Sequence, residues 1–288
     1  MISPPHALVT SFFRKLLTVL RREGLITDEE EDMIVPLDGG VTLPGKGTPL
    51  ESFLPGKGAP RTKEADFSLG IQEAIPGLIG TFTPSRPMFV MECSVSQSER
   101  DLYADAKQWL HRSENIVRCV ILVKIKEGPR TPQGNEDSDS DSDSSTMAKY
   151  QLKEENFFQD QALTAQWAGE LSAWVEIWRM NVATGQAEVQ HHHVSFPFPF
   201  AVEVCLTCMG WKELLPRSTL PPVLSLRRED LGLPPAGEGQ IDELLVDMSP
   251  LVRDLEQTGR PRMAFWRWGN SRRKVAPPLG TRSNEAET

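Results

Sequence analysis

The chain has 288 residues, a length that suffices for one large domain or two small ones. Hydrophobic residues make up 39% of it, and its formal net charge is −9. The acidic balance disfavours broad electrostatic binding to DNA, which needs a basic face, although a local basic groove stays compatible with it. No run approaches the roughly 18 apolar residues of a membrane span, so we expect an intracellular protein, nuclear or cytoplasmic, without a signal peptide.

The first predicted element is a basic, amphipathic helix at residues 7–23 that ends at Gly24. A transit peptide shares part of this pattern, but the acidic run at 28–32 favours a helix that packs on the domain. Residues 36–62 are rich in Gly and Pro. They lack the preceding strand and the Gly-Lys-Ser/Thr sequence of a phosphate-binding loop, which indicates a surface loop.

Three strands and a helix are predicted between residues 63 and 126. Residues 63–72 alternate between polar and apolar side chains, 88–95 form a second strand, and 116–126 are apolar on both faces, as in a central strand. Residues 99–113 have helical periodicity. A strand, a helix and a strand of this size form a crossover unit, so we expect the last two strands to be parallel.

An acidic insertion occupies about residues 127–148, where Asp and Glu alternate with serine. This composition cannot bury apolar area, which predicts a disordered, solvated loop. Acidic residues flank Ser138, Ser140 and Ser142, so a phosphorylation target stays open as an alternative. We therefore expect a domain at 1–210 that contains the insertion, an extension with a helix at 211–258, and a mostly disordered basic and polar tail at 259–288.

The elements beyond the insertion follow from shorter patterns. They are a helix at 162–169, a strand at 174–182 with a hairpin partner at 189–194, and helical patterning at 241–256.

Two carboxylates, Asp66 and Glu92, stand inside apolar, strand-like runs. A carboxylate is costly to bury unless something binds it, and two of them on adjacent strands suit a hard divalent cation. For Glu92 the alternative is a structural ion pair with a buried Lys or Arg. Glu64 on the same predicted strand as Asp66 more often lies in solvent than on a metal.

The motifs around these carboxylates resemble a fungal group of the restriction-endonuclease-like, PD-(D/E)XK superfamily. That group shows Glu-Pro-Asp, then Glu followed four residues on by Ser-Glu-Ser, then a Leu…Asp…Trp-Leu helix. The matching residues here are Glu64, Ala65, Asp66, Glu92, Ser96, Gln97, Ser98, Leu102, Asp105 and Trp109, with a weaker match at 174–179. The resemblance implies an α/β fold with a mixed central sheet flanked by helices.

By this resemblance Asp66 and Glu92 would bind Mg²⁺, with Glu64, Ser94, Ser96 and Gln97 around them. The metal would polarise a phosphate and lower the pKa of the attacking water. The superfamily usually carries a lysine two residues after the glutamate, where this chain has Ser94. Lys107 and Lys124 are the two candidates to replace that lysine. Asp105 and Trp109 are read as packing and capping residues rather than as site residues.

The resemblance implies a nuclease-like protein that hydrolyses phosphodiester bonds of DNA with Mg²⁺, or a descendant that has lost catalysis. A non-enzymatic interaction module with the same fold is the rival, and we expect no small-molecule ligand. A basic groove around Glu92 would favour the first function, whereas an apolar or acidic groove would favour the second.

Two other patterns invite a metal reading. The three histidines at 191–193 would alternate across a strand, so only the outer two could share an ion. Cys205 and Cys208 have the spacing of half a zinc knuckle without a second pair, which favours buried thiols.

Overall fold

The computed structural model describes residues 3–37, 40–43, 61–72, 86–113, 116–131, 152–181, 183–195 and 223–275. Its helices are α1 (Pro4–Arg14), α2 (Leu16–Arg22), α3 (Asp28–Met33), α4 (Glu99–Arg112), α5 (Glu154–Gln159), α6 (Gln161–Trp167), α7 (Ser249–Asp254) and α8 (Arg260–Val275), with a 3₁₀ turn at Arg228–Leu231 and a π turn at Leu255–Gly259. Its strands are β1 (Ile34–Pro36), β2 (Gly40–Leu43), β3 (Arg61–Glu64), β4 (Phe67–Ile71), β5 (Arg86–Ser94), β6 (Cys119–Glu127), β7 (Leu171–Asn181), β8 (Gln186–Ser195), β9 (Val223–Arg227) and β10 (Glu243–Asp247).

A mixed six-stranded sheet forms the centre of the protein, with the strand order β1-β4-β5-β6-β7-β8. Strands β5 and β6 are parallel and are joined by α4, while the other neighbouring pairs are antiparallel. The predicted parallel pair with a crossover helix is therefore confirmed. The predicted hairpin also forms, as β7 and β8. Among the described residues no helix is long and apolar enough to cross a membrane.

Each face of the sheet carries its own apolar layer, because successive strand residues point to opposite sides. One layer packs under the N-terminal helices and α8 and includes Phe13, Phe89 and Ile121. The other packs under α4 and includes Trp109 and Leu122. Ser98 caps helix α4, because its hydroxyl accepts a hydrogen bond from the N–H of Asp101, and the helix buries one stripe of apolar side chains.

The predicted strand at 63–72 is wrong in one respect, since it is two strands with a break at Ala65 and Asp66. Strand β3 pairs with β2 in a separate two-stranded sheet, and only β4 joins the central sheet. The break places Asp66 at the start of β4 rather than inside a continuous strand. The helix predicted at 7–23 is likewise divided, because the N–H of Lys15 closes a tighter turn onto Phe12.

The C-terminal region differs more from the sequence expectation. Helical patterning predicted at 241–256 is wrong for Glu243–Asp247, which forms β10 and pairs with β9. The tail expected to be mostly disordered from residue 259 is wrong for Arg260–Val275, which forms α8 with Met263 buried in the main apolar layer. The described start of the expected disordered insertion also makes contact, because the N–H of Thr131 donates to Ala165. Residues 132–148 lie outside the described part of the chain.

Candidate functional site

Asp66 lies in the break just before β4, and Glu92 lies on the neighbouring strand β5. The register of these strands pairs Phe67, the residue after Asp66, with Met91, the residue before Glu92. Asp66 Oδ2 accepts a hydrogen bond of 2.6 Å from the backbone N–H of Cys93, and Asp66 Oδ1 lies 2.8 Å from His6 Nε2 on α1. The Asp66 carboxylate is thus held between β5 and the N-terminal helix.

Glu92 is buried on the side of the sheet that α4 covers. Its exposed fraction is 8%, and its Oε1 accepts a hydrogen bond from the indole N–H of Trp109. Trp109 reaches it because Leu102, Ala106 and Trp109 share the apolar stripe of α4. Trp109, expected only to pack, therefore contacts the central carboxylate of the site directly.

Lys124 lies beside Ser94, across the parallel pair of strands β5 and β6. Its Nζ is 3.0 Å from the carbonyl oxygen of Val95, 2.5 Å from that of Gln97 and 3.5 Å from Ser94 Oγ. Burial lowers the pKa of Lys124 below its ordinary value, and the negative charge of Glu99 opposes that shift. Lys124 therefore places a partly desolvated amine beside the side chain of Ser94.

The remaining predicted site residues lie further out. Lys107 is exposed on α4, with its Nζ 5.9 Å from the centre of the Trp178 ring. Glu64 is exposed at the end of β3, and Ser96 is exposed in the bend before α4. Gln97 is closer to the site, because its carbonyl accepts from Lys124 while its side chain donates to Asp105 at 2.8 Å.

Sequence reasoning did not select Glu176, which lies in the same row of the sheet as Glu92. Leu122 on β6 pairs with both residues, and Glu176 is fully buried. Its carboxylate accepts hydrogen bonds from Tyr103 Oη at 3.2 Å and from the indole of Trp178 at 2.8 Å. Burial raises the pKa of Tyr103 well above its ordinary value, and the charge of Glu176 adds to that effect. The sequence did contain a signal for this residue, namely a glutamate between apolar residues of the predicted strand that became β7.

Three tryptophans on this face each donate an indole N–H to a glutamate. The pairs are Trp109 with Glu92, Trp174 with Glu99 and Trp178 with Glu176. An indole is a neutral donor, so it satisfies a carboxylate oxygen without removing its charge. These pairs satisfy carboxylate oxygens that lie beside the apolar layer under α4.

The donor chemistry of Asp66 and Glu92 fits Mg²⁺, which proteins often hold with one or two carboxylates while the ion keeps several waters. Over the described ranges there is no group of three or more His, Cys, Asp or Glu residues that could hold a metal ion. The side chains of 191–193, and Cys205 with Cys208, lie outside the described residues.

Comparison with known proteins finds no matching family model, no matching curated protein and no matching solved structure. Support for a function therefore comes from the residues of the site themselves.

Proposed function

We propose that this chain is a nuclease-like protein whose site for Mg²⁺-dependent hydrolysis of DNA phosphodiesters consists of Asp66, Glu92 and Lys124. One observation carries the proposal. Lys124 Nζ lies 3.5 Å from Ser94 Oγ, so β6 supplies the cationic group that position 94 of β5 lacks. The proposal also needs the carboxylates of Asp66, just before β4, and of Glu92, on the adjacent strand β5, to share the cation.

Each residue has a role that its surroundings support. Bound Mg²⁺ would supply a Lewis acid for the phosphate and a water of lowered pKa. Asp66 and Glu92 would hold that ion, with Asp66 oriented by Cys93 and Glu92 by Trp109. Lys124, whose pKa is lowered by burial, releases a proton more readily than an exposed lysine, and as an ammonium it stabilises charge that develops on the phosphate.

A non-enzymatic interaction module is the second candidate, and a specific observation favours it. Glu92 is almost enclosed by the apolar layer that contains Leu102, Ala106 and Leu122. Its hydrogen bond from Trp109 is the kind of contact that keeps a carboxylate for packing alone. The outer side of α4 carries both signs of charge, with Asp101 and Arg112 on the same shallow groove, so it is not a purely basic surface.

Titration calorimetry with Mg²⁺ and Mn²⁺, together with nicking of supercoiled plasmid, tests the proposal. We expect the wild type to bind the metal and to nick slowly, and Glu92→Gln to lose both, because the amide keeps the shape but not the charge of the ligand. Glu155→Gln is the control, since it removes an exposed carboxylate of α5 and leaves the charges beside Lys124 unchanged.

Ser94→Lys provides the second arm of the test. It restores the usual superfamily pattern and should raise the nicking rate if the metal site is intact. If wild type and Ser94→Lys both fail to nick single- or double-stranded DNA, and calorimetry gives no heat of metal binding, the interaction module replaces the nuclease as the favoured function.

A further inference from the structure

Asp66 lies outside the hydrogen-bonded ladder of the central sheet, in the break between β3 and β4. The pleat sets the direction of a side chain inside a ladder, but it does not do so in a break. The side chain of Asp66 is also 26% exposed, so packing alone leaves its carboxylate room to rotate. A metal ligand has to keep one orientation, and contacts of the carboxylate oxygens must therefore supply it.

Each oxygen of this carboxylate meets a different donor. Oδ2 of Asp66 accepts the backbone N–H of Cys93 at 2.6 Å, and Oδ1 lies 2.8 Å from Nε2 of His6. This contact assigns a proton to Nε2 of His6, because an ionised carboxylate only accepts hydrogen bonds. Two donors on two oxygens define the plane of the carboxyl group. A carboxylate has about four lone-pair positions, so two of them remain for a cation.

The core holds His6 in place on its helix. His6 lies in the first turn of α1, and the buried residues Val9 and Phe13 follow it three and seven positions later, on the same side of the helix. The ring centre of Phe13 is 6.4 Å from that of Phe89 on β5. Helix α1 thus packs on the strand whose backbone supplies the other donor, so the core fixes the two donors relative to each other.

The second ring nitrogen of His6 argues against a role in stability alone. Nδ1 is buried, and among the described residues it has no hydrogen-bond partner. A buried polar atom without a partner lowers the stability of the fold. An apolar side chain of similar size would avoid that loss, so we attribute the histidine at this position to its contact with Asp66.

His6 does not have the surroundings of a metal ligand. Imidazole suits ions such as Zn²⁺, Cu²⁺ and Ni²⁺, whereas Mg²⁺ prefers oxygen ligands. The proton on Nε2 also takes up the lone pair that a metal would need on that nitrogen. Across the described ranges there is no group of three or more His, Cys, Asp or Glu residues that could hold a metal ion. Any effect of His6 on a cation therefore passes through Asp66.

We propose that His6 is a positioning residue, which holds the Asp66 carboxylate in the orientation that a cation at this site needs. This role rests on the proposed function for the identity of the cation, Mg²⁺. The imidazole holds one oxygen and the backbone of β5 holds the other, so the carboxylate keeps its direction despite the strand break and its partial exposure.

Titration calorimetry at one fixed pH, with Mg²⁺ and with Mn²⁺, tests this role. His6→Phe keeps a ring but has no donor, and we expect its Kd to rise about 10- to 100-fold for both ions, the range for loss of a group that orients a ligand. His6→Gln brings an amide N–H near the position of Nε2 and should restore the Kd to within about threefold of the wild type. His111→Phe changes an exposed histidine of α4 and should bind like the wild type.

Two results of the titration would overturn the proposal. A larger loss for Mn²⁺ than for Mg²⁺ in His6→Phe would make His6 a ligand of the ion, because imidazole favours the transition metal. An unchanged Kd together with a lower melting temperature would show that His6 only stabilises the fold.

Amide exchange of Cys93, measured by NMR without metal, gives a readout that is independent of the proposed function. If His6 orients Asp66, the N–H that Oδ2 accepts should exchange about fivefold faster in His6→Phe and like the wild type in His6→Gln. Faster exchange in a protein that binds no metal would refute the nuclease alone and leave His6 as the residue that orients Asp66. Equal exchange in all variants would overturn the role of His6, whether or not the metal binds.

Discussion

Lys124 and Ser94 lie side by side in the parallel ladder between β6 and β5, with 3.5 Å between Nζ and Oγ. Residues that are partners in a ladder share a face of the sheet, so both point toward α4. Lys124 on β6 therefore brings its amine next to position 94 of β5, two residues after Glu92. The same amine also donates hydrogen bonds to the carbonyl oxygens of Val95 and Gln97.

Lys124→Met should separate this lysine from the other candidate. If the proposed site is catalytic, we expect the nicking rate to fall by about 10²- to 10⁴-fold, the range that a positioned acid or base contributes. Lys107→Met is the matched control, because Lys107 is exposed and lies over Trp178. Plasmid nicking under single-turnover conditions measures both variants. A larger loss in Lys107→Met than in Lys124→Met would reverse the assignment.

The hydrogen bond between Trp109 and Glu92 should be measurable as a coupling energy. Trp109→Phe removes the indole donor while it keeps an aromatic ring, and we expect a loss of roughly 1–3 kcal/mol in unfolding free energy. In a Glu92→Met background the same change should cost less by at least about 1 kcal/mol, because no carboxylate is left without its donor. Urea unfolding of the four proteins gives the coupling. Additive losses would show that the bond contributes nothing.

Glu127 should make stability depend on pH in the acid range. Burial alone raises the pKa of its carboxyl, but hydrogen bonds from Arg267, from the N–H of Gly169 and from Arg130 outweigh burial and lower the pKa to about 2. A depressed carboxyl pKa stabilises the fold above the unfolded pKa of about 4.3, and the gain is lost as pH falls through the folded value.

We therefore expect Glu127→Gln to be less stable than the wild type at pH 7, with a difference that shrinks between about pH 4.5 and pH 2. Urea unfolding at several pH values measures the difference. Glu154→Gln removes an exposed partner of Arg262 and should stay near zero throughout. A difference for Glu127→Gln that does not change with pH would contradict the role of its charge.

Asp230 should be critical for joining the C-terminal region to the sheet. It lies in the 3₁₀ turn and binds Arg179 of β7 through two contacts of 2.5 Å, with both side chains buried. Asp230→Asn leaves a buried guanidinium without its counter-charge, and we expect a loss of about 3–5 kcal/mol. Its neighbour Glu229 forms an exposed pair, so Glu229→Gln should cost less than about 1 kcal/mol. Thermal unfolding of both variants measures the contrast, and equal melting temperatures would refute it.

Local patterns predict the part of the fold that carries the site. The apolar runs of β5 and β6 and the helical stripe of α4 are properties of short segments, and such local patterns determine which element each can form. The same local reasoning selected Glu92, since a carboxylate in an apolar run needs a partner wherever the run is buried. It did not select Glu176 in the corresponding setting on β7.

The C-terminal elements needed the tertiary structure. Strand β10 had helical spacing in the sequence and became a strand because β9 offers it a pairing edge. Helix α8 is rich in arginine and contains Gly269, so its sequence is typical of a polar tail. It is ordered by contacts with other parts of the chain, through the packing of Phe157 against Phe265 and Trp268 and the ion pair of Glu127 with Arg267.

The sequence by itself determined which residues near the site were chemically capable, namely Asp66, Glu92 and the two lysines. Only the tertiary structure decided which of them meet. The register between β5 and β6 brings Lys124 to Ser94, and the packing of α1 brings His6 to Asp66 across 60 positions of the chain. Periodicity is a property of neighbours in sequence, whereas register and packing depend on the free energy of the whole buried core, so no local pattern contains them.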